Sequence, residues 1–375
     1  MPVVGLALDE LFRYLGRSLA PDALEHELHR FGCSVEGWAN VVRYRCPHCG
    51  AVVEAPEFEA VPPLCDSCGG DLRLAGLDVP ELGRVHVLRM ELLAVRPDLF
   101  DAPGLARALR GFLGVELGAP RYSLAPGEHV IEVEPGVAAV RSRIAAATVH
   151  GVAFDDASLR SLMKLQENIH WALGRDRKLA SIGVYDLARV SGPALRYRAV
   201  GRDALRFVPL GYDPQAADSA MTPHEILERH PKGRAFAWLL PGSEPVPLLE
   251  DSRGGVLSMP PIINSEATRV TRETTDVLID VTGHSDRHVE RALAIVVASL
   301  LETCPGARAR TVAIRYEHET RITPDFTPQP VPVEPREAAR LIGVPWSRET
   351  VVDLLRRMRH DVRDEGGPLT VLVPA

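Results

Sequence analysis

Two closely spaced pairs of cysteines are the feature that most restricts how this 375-residue chain can fold. Each pair has the pattern CxxC, 15 residues separate the pairs, and the four members are Cys46, Cys49, Cys65 and Cys68. Thiolates at this spacing point at one ion, and four of them complete a closed tetrahedral zinc site. Because a closed site has no position for water, we predict a structural zinc ion whose binding stabilises a small zinc-ribbon insert, residues 44–74.

The composition is that of an ordinary soluble globular protein, with 46% hydrophobic and 25% charged residues. A net charge of -7 argues against a protein that coats nucleic acid through bulk charge, although a local basic patch remains compatible with it. The longest apolar run, residues 292–301, is too short to cross a bilayer. The sequence begins without a basic segment typical of a signal peptide, so we expect a cytoplasmic protein without membrane contact.

Apolar residues at helical spacing, with proline and glycine at the ends, predict helices along the chain. We expect them at residues 7–32 (two short helices), 103–113 and 158–174, after Thr222, after Ser285 or Asp286, and twice beyond residue 334. A hairpin is predicted at 246–250 and 255–259, and a buried strand at 276–282. Residues 323–333 contain four prolines and no regular period, so we predict a linker there.

Three segments carry a resemblance to a known family. They are LMKLQENIHWALGRDRKLASIGVYDL from Leu162, MTPHEILERHPKG from Met221, and PLLEDSRGGVLSMPPIINSEATRV from Pro247. In this order they resemble the editing domain of phenylalanyl-tRNA synthetase β subunits of the archaeal/eukaryotic type. Upstream, Arg96-Pro-Asp-Leu99 and the segment from Gly104 to Leu113 are similar to the first module of that family.

The resemblance implies an α+β, multidomain fold. We expect an N-terminal α/β module with its zinc-ribbon insert at 1–118, a mixed α/β tRNA-editing domain at 119–322, and a partial DNA-binding-like (winged-helix-like) helical module at 334–375. Members of the family continue from there into a synthetase-like core. The sequence contains no class II synthetase motif. The zinc insert is an addition that we do not associate with most members.

The family's editing pocket carries over to eight positions of this sequence. By resemblance, the amino-acid pocket is formed by Leu249, Ser258, Asp280 and Thr282, and the catalytic rim that contacts the tRNA end by Gln166, Glu167, Arg177 and Asn264. Each position also fits an ordinary structural role, such as a solvated helix face or a turn. Asp280 fits such a role least well, because an unpaired carboxylate in an apolar strand is costly.

Two observations on the residues themselves agree with that assignment. Asp280 and Thr282 are two residues apart in a predicted strand, so they lie on one face of it. Ser258 and Asn264 flank Pro260-Pro261, and a proline-stiffened loop holds polar groups in place.

The resemblance implies the β subunit of a phenylalanine–tRNA ligase that hydrolyses mischarged Tyr-tRNA(Phe) and supports tRNA binding and subunit assembly. Its partners would be tRNA(Phe) and an α subunit, and ATP and Mg²⁺ would be bound only by that α subunit. Two alternatives stay open. One alternative is a free-standing deacylase that acts on mischarged tRNA. The other is a non-catalytic module that binds tRNA or protein.

Overall fold

A computed structural model describes residues 3–91, 95–240, 242 and 245–374. Its elements mix strands and helices along the whole chain, and the described strands form three separate sheets. No helix of the described part is long and apolar enough to span a membrane.

The first sheet belongs to the N-terminal part and is antiparallel, with the order β1-β4-β2-β3. Its strands are β1 (Val3–Ala7), β2 (Ser34–Arg45), β3 (Val52–Pro56) and β4 (Glu81–Glu91). The helices of this part are α1 (Leu8–Leu15), α2 (Pro21–Phe31) and α3 (Ala102–Phe112). The first two helices end at Gly16 and Gly32, whose φ angles of 76° and 93° suit glycine. The helices predicted at 7–32 and 103–113 are therefore confirmed.

The first cysteine pair lies between β2 and β3, and the second between β3 and β4. The cysteines pack with Val53 and Leu72 into a core of their own. We call residues 46–50 and 65–70 the cysteine knuckles.

Eleven of the described strands form the second sheet. They are β5 (Leu124–Ala125), β6 (Val130–Val133), β7 (Arg143–His150), β8 (Ala180–Asp186), β9 (Ala194–Val200), β10 (Val246–Glu250), β11 (Val256–Met259), β12 (Ile263–Asn264), β13 (Asp276–Gly283), β14 (Arg308–Arg315) and β15 (Thr320–Thr323). The path runs β12-β11-β10-β9-β6-β14-β7-β13-β8, with β5 and β15 paired to β14. The predicted hairpin and buried strand are confirmed as β10–β11 and β13.

Five helices accompany this sheet: α4 (Ala138–Arg141), α5 (Asp156–Trp171), α6 (Pro223–Arg229), α7 (Pro231–Phe236) and α8 (Asp286–Thr303). Helices α5 and α8 cover one face, where Ile182 and Ile279 belong to their shared core. Leu278 and Tyr185 belong to a different core on the opposite face. Because side chains alternate along a strand, Asp280 shares the face of Leu278.

The third sheet lies at the C-terminal end and has the order β16-β18-β17. It comprises β16 (Gln329–Val333), β17 (Asp361–Arg363) and β18 (Leu369–Val373), with helices α9 (Pro335–Ile342) and α10 (Arg348–Arg357). The prediction of a linker without strand structure is wrong for residues 329–333. An edge strand tolerates Pro330 and Pro332, because it hydrogen-bonds to a neighbour on one side only. The domain boundaries stay a prediction.

Candidate functional site

A cleft of about 520 Å³ opens where the two ends of the large sheet approach each other. One side is formed by β8 and the other by β11, β12 and the loop between them. Helix α5 and the first cysteine knuckle complete the walls. The predicted site residues that line this cleft are Gln166, Glu167, Arg177, Ser258, Asn264 and Asp280.

The polar centre of the cleft joins three buried side chains from three strands. Tyr185 Oη lies 2.8 Å from Ser258 Oγ and also hydrogen-bonds with the Asp280 carboxyl group. Burial raises the pKa of Asp280 to about 7, although Tyr185 and Arg141 act in the opposite direction. The centre therefore combines a carboxyl group that is readily protonated with two hydroxyl groups, which suits recognition of a ligand hydroxyl.

At the rim, Glu167 lies beside two cationic side chains and a histidine. Its carboxylate lies 2.8 Å from Arg177 Nη2 and 3.5 Å from Lys232 Nζ, and His170 Nδ1 is 3.5 Å away. Burial alone would raise the pKa of Glu167, but Lys232 and Arg177 hold it well below its ordinary value. This carboxylate is therefore ionised and fixed in position.

Arg177 is held by the protein itself. Its backbone has a φ of 68°, and its guanidinium donates hydrogen bonds to the carbonyls of Pro261 and Ile262 at 3.2 and 2.9 Å. The guanidinium carbon also lies 4.3 Å from the centre of the Phe236 ring. Together with Glu167, these contacts fix the loop that precedes Asn264. Arg177 therefore has a positioning role at the rim.

Two amide side chains brace β8 from opposite sides of the cleft. Gln166 Nε2 donates to the carbonyl of Ile182 at 2.8 Å, and Asn264 Nδ2 donates to the carbonyl of Val184 at 3.4 Å. An amide nitrogen carries two hydrogens. Each amide therefore retains a second N–H that is not used in these bonds.

Leu249 and Thr282 do not line the cleft. Leu249 is buried and pairs with Ser258 across the hairpin. Thr282 lies on the same face of β13 as Asp280, but its hydroxyl accepts a hydrogen bond from Arg141 Nε at 2.8 Å. Their assignment to the amino-acid pocket stays a prediction, as do the roles of the six residues that line the cleft.

The four knuckle cysteines form a compact cluster, with all four sulfur atoms within 4.8 Å of one another. Cys46 Sγ lies 3.8 Å from Cys68 Sγ, and Cys49 Sγ lies 3.7 Å from Cys65 Sγ. A tetrahedral ion with metal–sulfur bonds of about 2.3 Å requires sulfur–sulfur distances of about 3.8 Å. The cluster thus has the donor set and spacing for a metal ion such as zinc.

Comparison with known proteins identifies the family. No family model matches the chain. It is 43% identical over 303 residues to the phenylalanine–tRNA ligase beta subunit of Archaeoglobus fulgidus, covering 81% of this chain and 53% of that protein. Its similarity to the beta subunit of Methanothrix thermoacetophila is 44% identity over 305 residues, covering 81% and 55%.

A solved structure decides the assignment. The crystal structure of an N-terminal fragment of the phenylalanyl-tRNA synthetase beta subunit from Pyrococcus horikoshii superposes with a TM-score of 0.82 and 30% identity, covering 100% of this chain and 94% of that one. The chain belongs to the phenylalanyl-tRNA synthetase β-subunit family. It spans about half the length of the curated relatives that it matches. The predicted α+β, multidomain fold class is confirmed.

Sequence reasoning missed four residues at or beside this cleft: Tyr185 and His170 line it, whereas Arg141 contacts Thr282 and Lys232 contacts Glu167 from outside the lining. Tyr185 stands in a buried strand, where an aromatic residue gives no functional signal. His170 Nε2 accepts a hydrogen bond from the backbone N–H of Ile182 at 2.8 Å, and burial lowers the pKa of His170 to about 4. Both residues lie within the quoted family segment from Leu162, and that segment was the available signal.

Proposed function

We propose that this chain serves as the β subunit, or the N-terminal part of the β subunit, of a phenylalanine–tRNA ligase and hydrolyses mischarged Tyr-tRNA(Phe). The observation that carries the proposal is the buried polar centre of Tyr185, Ser258 and Asp280 in a cleft of a phenylalanyl-tRNA synthetase β-subunit family member.

Tyrosine differs from phenylalanine by one hydroxyl group, and an apolar pocket rejects an added hydroxyl only weakly. A second site that hydrogen-bonds this hydroxyl discriminates far better, because phenylalanine would leave its buried polar groups unpaired. Asp280 and Ser258 supply such partners at the floor of the cleft. The arrangement supports a pocket that accepts tyrosine and disfavours phenylalanine.

Hydrolysis of the ester needs no protein nucleophile. A water oxygen bonds to the ester carbonyl carbon, the bond from that carbon to the ribose oxygen breaks, and the ribose oxygen takes up the proton that the attacking water loses. We assign the substrate's ammonium group to the ionised Glu167. The second N–H groups of Gln166 and Asn264 would donate to the developing oxyanion.

Further partners follow from the family. We propose that the chain binds tRNA(Phe) and an α subunit in the cytoplasm, and that ATP and Mg²⁺ are bound by that α subunit. We also propose that the cysteine cluster holds structural zinc, since four thiolates close the coordination sphere. The sulfur–sulfur distances of 3.7 and 3.8 Å fit that ion.

The test offers Tyr-tRNA(Phe) and Phe-tRNA(Phe) to the purified chain and measures release of the amino acid. We expect tyrosine release that exceeds phenylalanine release and that is lost in Asp280→Ala. The control is Asp218→Ala, which alters an exposed acid that does not line the cleft. No tyrosine release by the folded wild-type chain would contradict the editing role and favour a non-catalytic module.

A second measurement addresses assembly. The chain is mixed with a family α subunit and analysed by size-exclusion chromatography. We expect a complex. Tyrosine release without complex formation would instead support a free-standing deacylase.

A further inference from the structure

The first cysteine knuckle is a wall of the cleft that contains Asp280. Residues 45–52 line the cleft continuously, and Ser67 of the second knuckle lines it as well. The metal cluster and the polar centre therefore border one shared cavity, although the cysteines precede Asp280 by more than 200 residues in the sequence.

The knuckles are packed tightly onto the large-sheet part of the protein. A Cβ atom at Gly211 would lie 2.6 Å from Cys68 Cβ, so only glycine permits this approach. Arg269 Nη1 also donates a hydrogen bond to the carbonyl of His48 at 3.4 Å. The position of the knuckles is thus set by direct contact with the loops of the cleft.

One side chain connects the second knuckle to the rim. Lys232 Nζ donates a hydrogen bond to the carbonyl of Asp66, which stands directly after the ligand candidate Cys65. The same Nζ lies 3.5 Å from Glu167 Oε1. The Lys232 side chain is only 11% exposed, so water cannot easily replace either partner.

We propose that the metal-loaded knuckles form part of the binding site for the aminoacyl-adenosine end of tRNA, and that Lys232 is the positioning residue that links them to Glu167. This inference rests on the proposed function. Without the metal, residues 46–50 and the Asp66 carbonyl would no longer be held in position. Lys232 would then lose its fixed hydrogen-bond acceptor, and Glu167 would lose the fixed position of Lys232. Linkage then requires reciprocity: the metal strengthens ligand binding, and the ligand strengthens metal binding by the same factor.

The probe is 3′-tyrosylamino-3′-deoxyadenosine, in which an amide replaces the ester and resists hydrolysis. Its affinity for the whole chain is measured by calorimetry with zinc bound and after chelation, with circular dichroism to monitor folding. We expect chelation to weaken binding by about tenfold, a usual size for coupling between sites. Equal affinity in both states overturns the inference and leaves the proposed function intact.

A second measurement uses only the native, metal-loaded protein. The equilibrium affinity for zinc is measured by competition with a chromogenic chelator, with and without the probe. We expect a saturating probe to tighten zinc binding about tenfold, following the same coupling. An unchanged zinc affinity, with the probe bound, overturns the inference. No probe binding by the loaded protein overturns both this inference and the proposed function.

Lys232 is tested by replacement. Lys232→Met keeps the four thiolates, so we expect full zinc stoichiometry but loss of the probe's effect on zinc affinity. Lys232→Arg, which retains a cation, should restore part of that effect. Arg234→Met is the matched control, since Arg234 lies on the same helix but is exposed. A Lys232→Met protein with wild-type coupling would refute the role of Lys232.

Discussion

Tyr185 and Asp280 share a hydrogen bond across two neighbouring strands, and a glycine makes that bond possible. Gly183 pairs with Asp280 in the sheet, and a Cβ atom at Gly183 would clash with both the Tyr185 hydroxyl and the Asp280 carboxylate. The tyrosine side chain crosses the space above this glycine to reach its partner. Three positions on two strands therefore depend on one another.

Removing the tyrosine hydroxyl should weaken the fold. In Tyr185→Phe, the buried Asp280 and Ser258 each lose a partner, so we expect a loss of about 1–3 kcal/mol in unfolding free energy. Urea denaturation measures it. The control is Tyr44→Phe, which alters a partly exposed tyrosine at the knuckles and should change stability by less than about 0.5 kcal/mol. Equal effects of the two variants would contradict the bridging role of Tyr185.

Adding one methyl group at Gly183 should disturb the polar centre. Because the new carbon overlaps Tyr185 and Asp280, we expect Gly183→Ala to destabilise the protein by about 1–3 kcal/mol. Gly201→Ala provides the comparison, since a Cβ there meets nothing within 4 Å. Thermal unfolding of both variants measures the difference. A wild-type melting temperature for Gly183→Ala would show that the Tyr185 side chain does not pass over Gly183.

The Asp280 carboxyl group should make stability depend on pH. Burial raises the pKa of Asp280 to about 7 in the folded protein, whereas an unfolded aspartate has a pKa of about 3.9. Between these values the unfolded chain releases a proton that the folded protein retains, so this group reduces stability as pH rises. The reduction amounts to roughly 4 kcal/mol between pH 4 and pH 7.

Asp280→Asn abolishes this titration. Its unfolding free energy, relative to the wild-type value, should therefore rise as pH increases from about 4 to about 7 and stay level above that range. Denaturant titrations at several pH values measure the difference. Asp218→Asn should give a difference that does not vary with pH. A constant difference for Asp280→Asn would show that its carboxyl group titrates normally.

Glu54 should give the opposite pH dependence. It lies beneath Lys164, Arg160 and Arg43, at 2.6, 3.1 and 3.0 Å. Burial alone would raise its pKa, but these cations lower the pKa of Glu54 to about 2. Its stabilising contribution is present above pH 4.5 and is lost as pH falls towards 2. Glu54→Gln should cost about 3 kcal/mol at pH 7 and progressively less in acid.

The control for this ion cluster is Glu59→Gln, at an exposed position of the same module. It should change the unfolding free energy by less than about 0.5 kcal/mol at every pH. A Glu54→Gln penalty that stays constant between pH 7 and pH 3 would contradict the lowered pKa.

Zinc should be lost when one knuckle is removed. In the double variant Cys65→Ser, Cys68→Ser only two thiolates remain, so we expect no stoichiometric zinc by atomic absorption. The C-terminal sheet should be unaffected, and hydrogen exchange of β18 reports on it. The matched control is Cys33→Ser, Cys304→Ser, which should retain one zinc ion per chain. Full zinc content in the knuckle variant would refute the site.

The sequence predicted what short-range rules determine. Helix spacing and end signals located α2, α5 and α6, and the capping box at Thr222 is present as predicted. The knuckles followed from spacing alone. Such features depend on residues only a few positions apart, so a single sequence contains them.

Features that depend on distant residues were not predictable in this way. Strands β8 and β11 stand near opposite ends of the sheet path, yet the fold brings Tyr185 to Ser258, 73 positions away in the sequence. Thr282 lies on the same strand face as Asp280, as expected, but its hydroxyl accepts a hydrogen bond from Arg141. The guanidinium of Arg177 similarly binds carbonyls of the 260–262 loop. Neither partner choice has a local signature.

The close fit of Gly211 against Cys68 has a consequence for exchanging parts between relatives. In the sequence, residues 44–74 look like an insert that could be transferred as a unit. Their packing surface, however, includes Gly211, which is 143 residues beyond Cys68, and any side chain there would collide with Cys68. A homologue without these cysteines can accept the insert only if it also receives glycine at the equivalent of 211. Transfer of residues 44–74 alone is therefore expected to produce a clash at this contact.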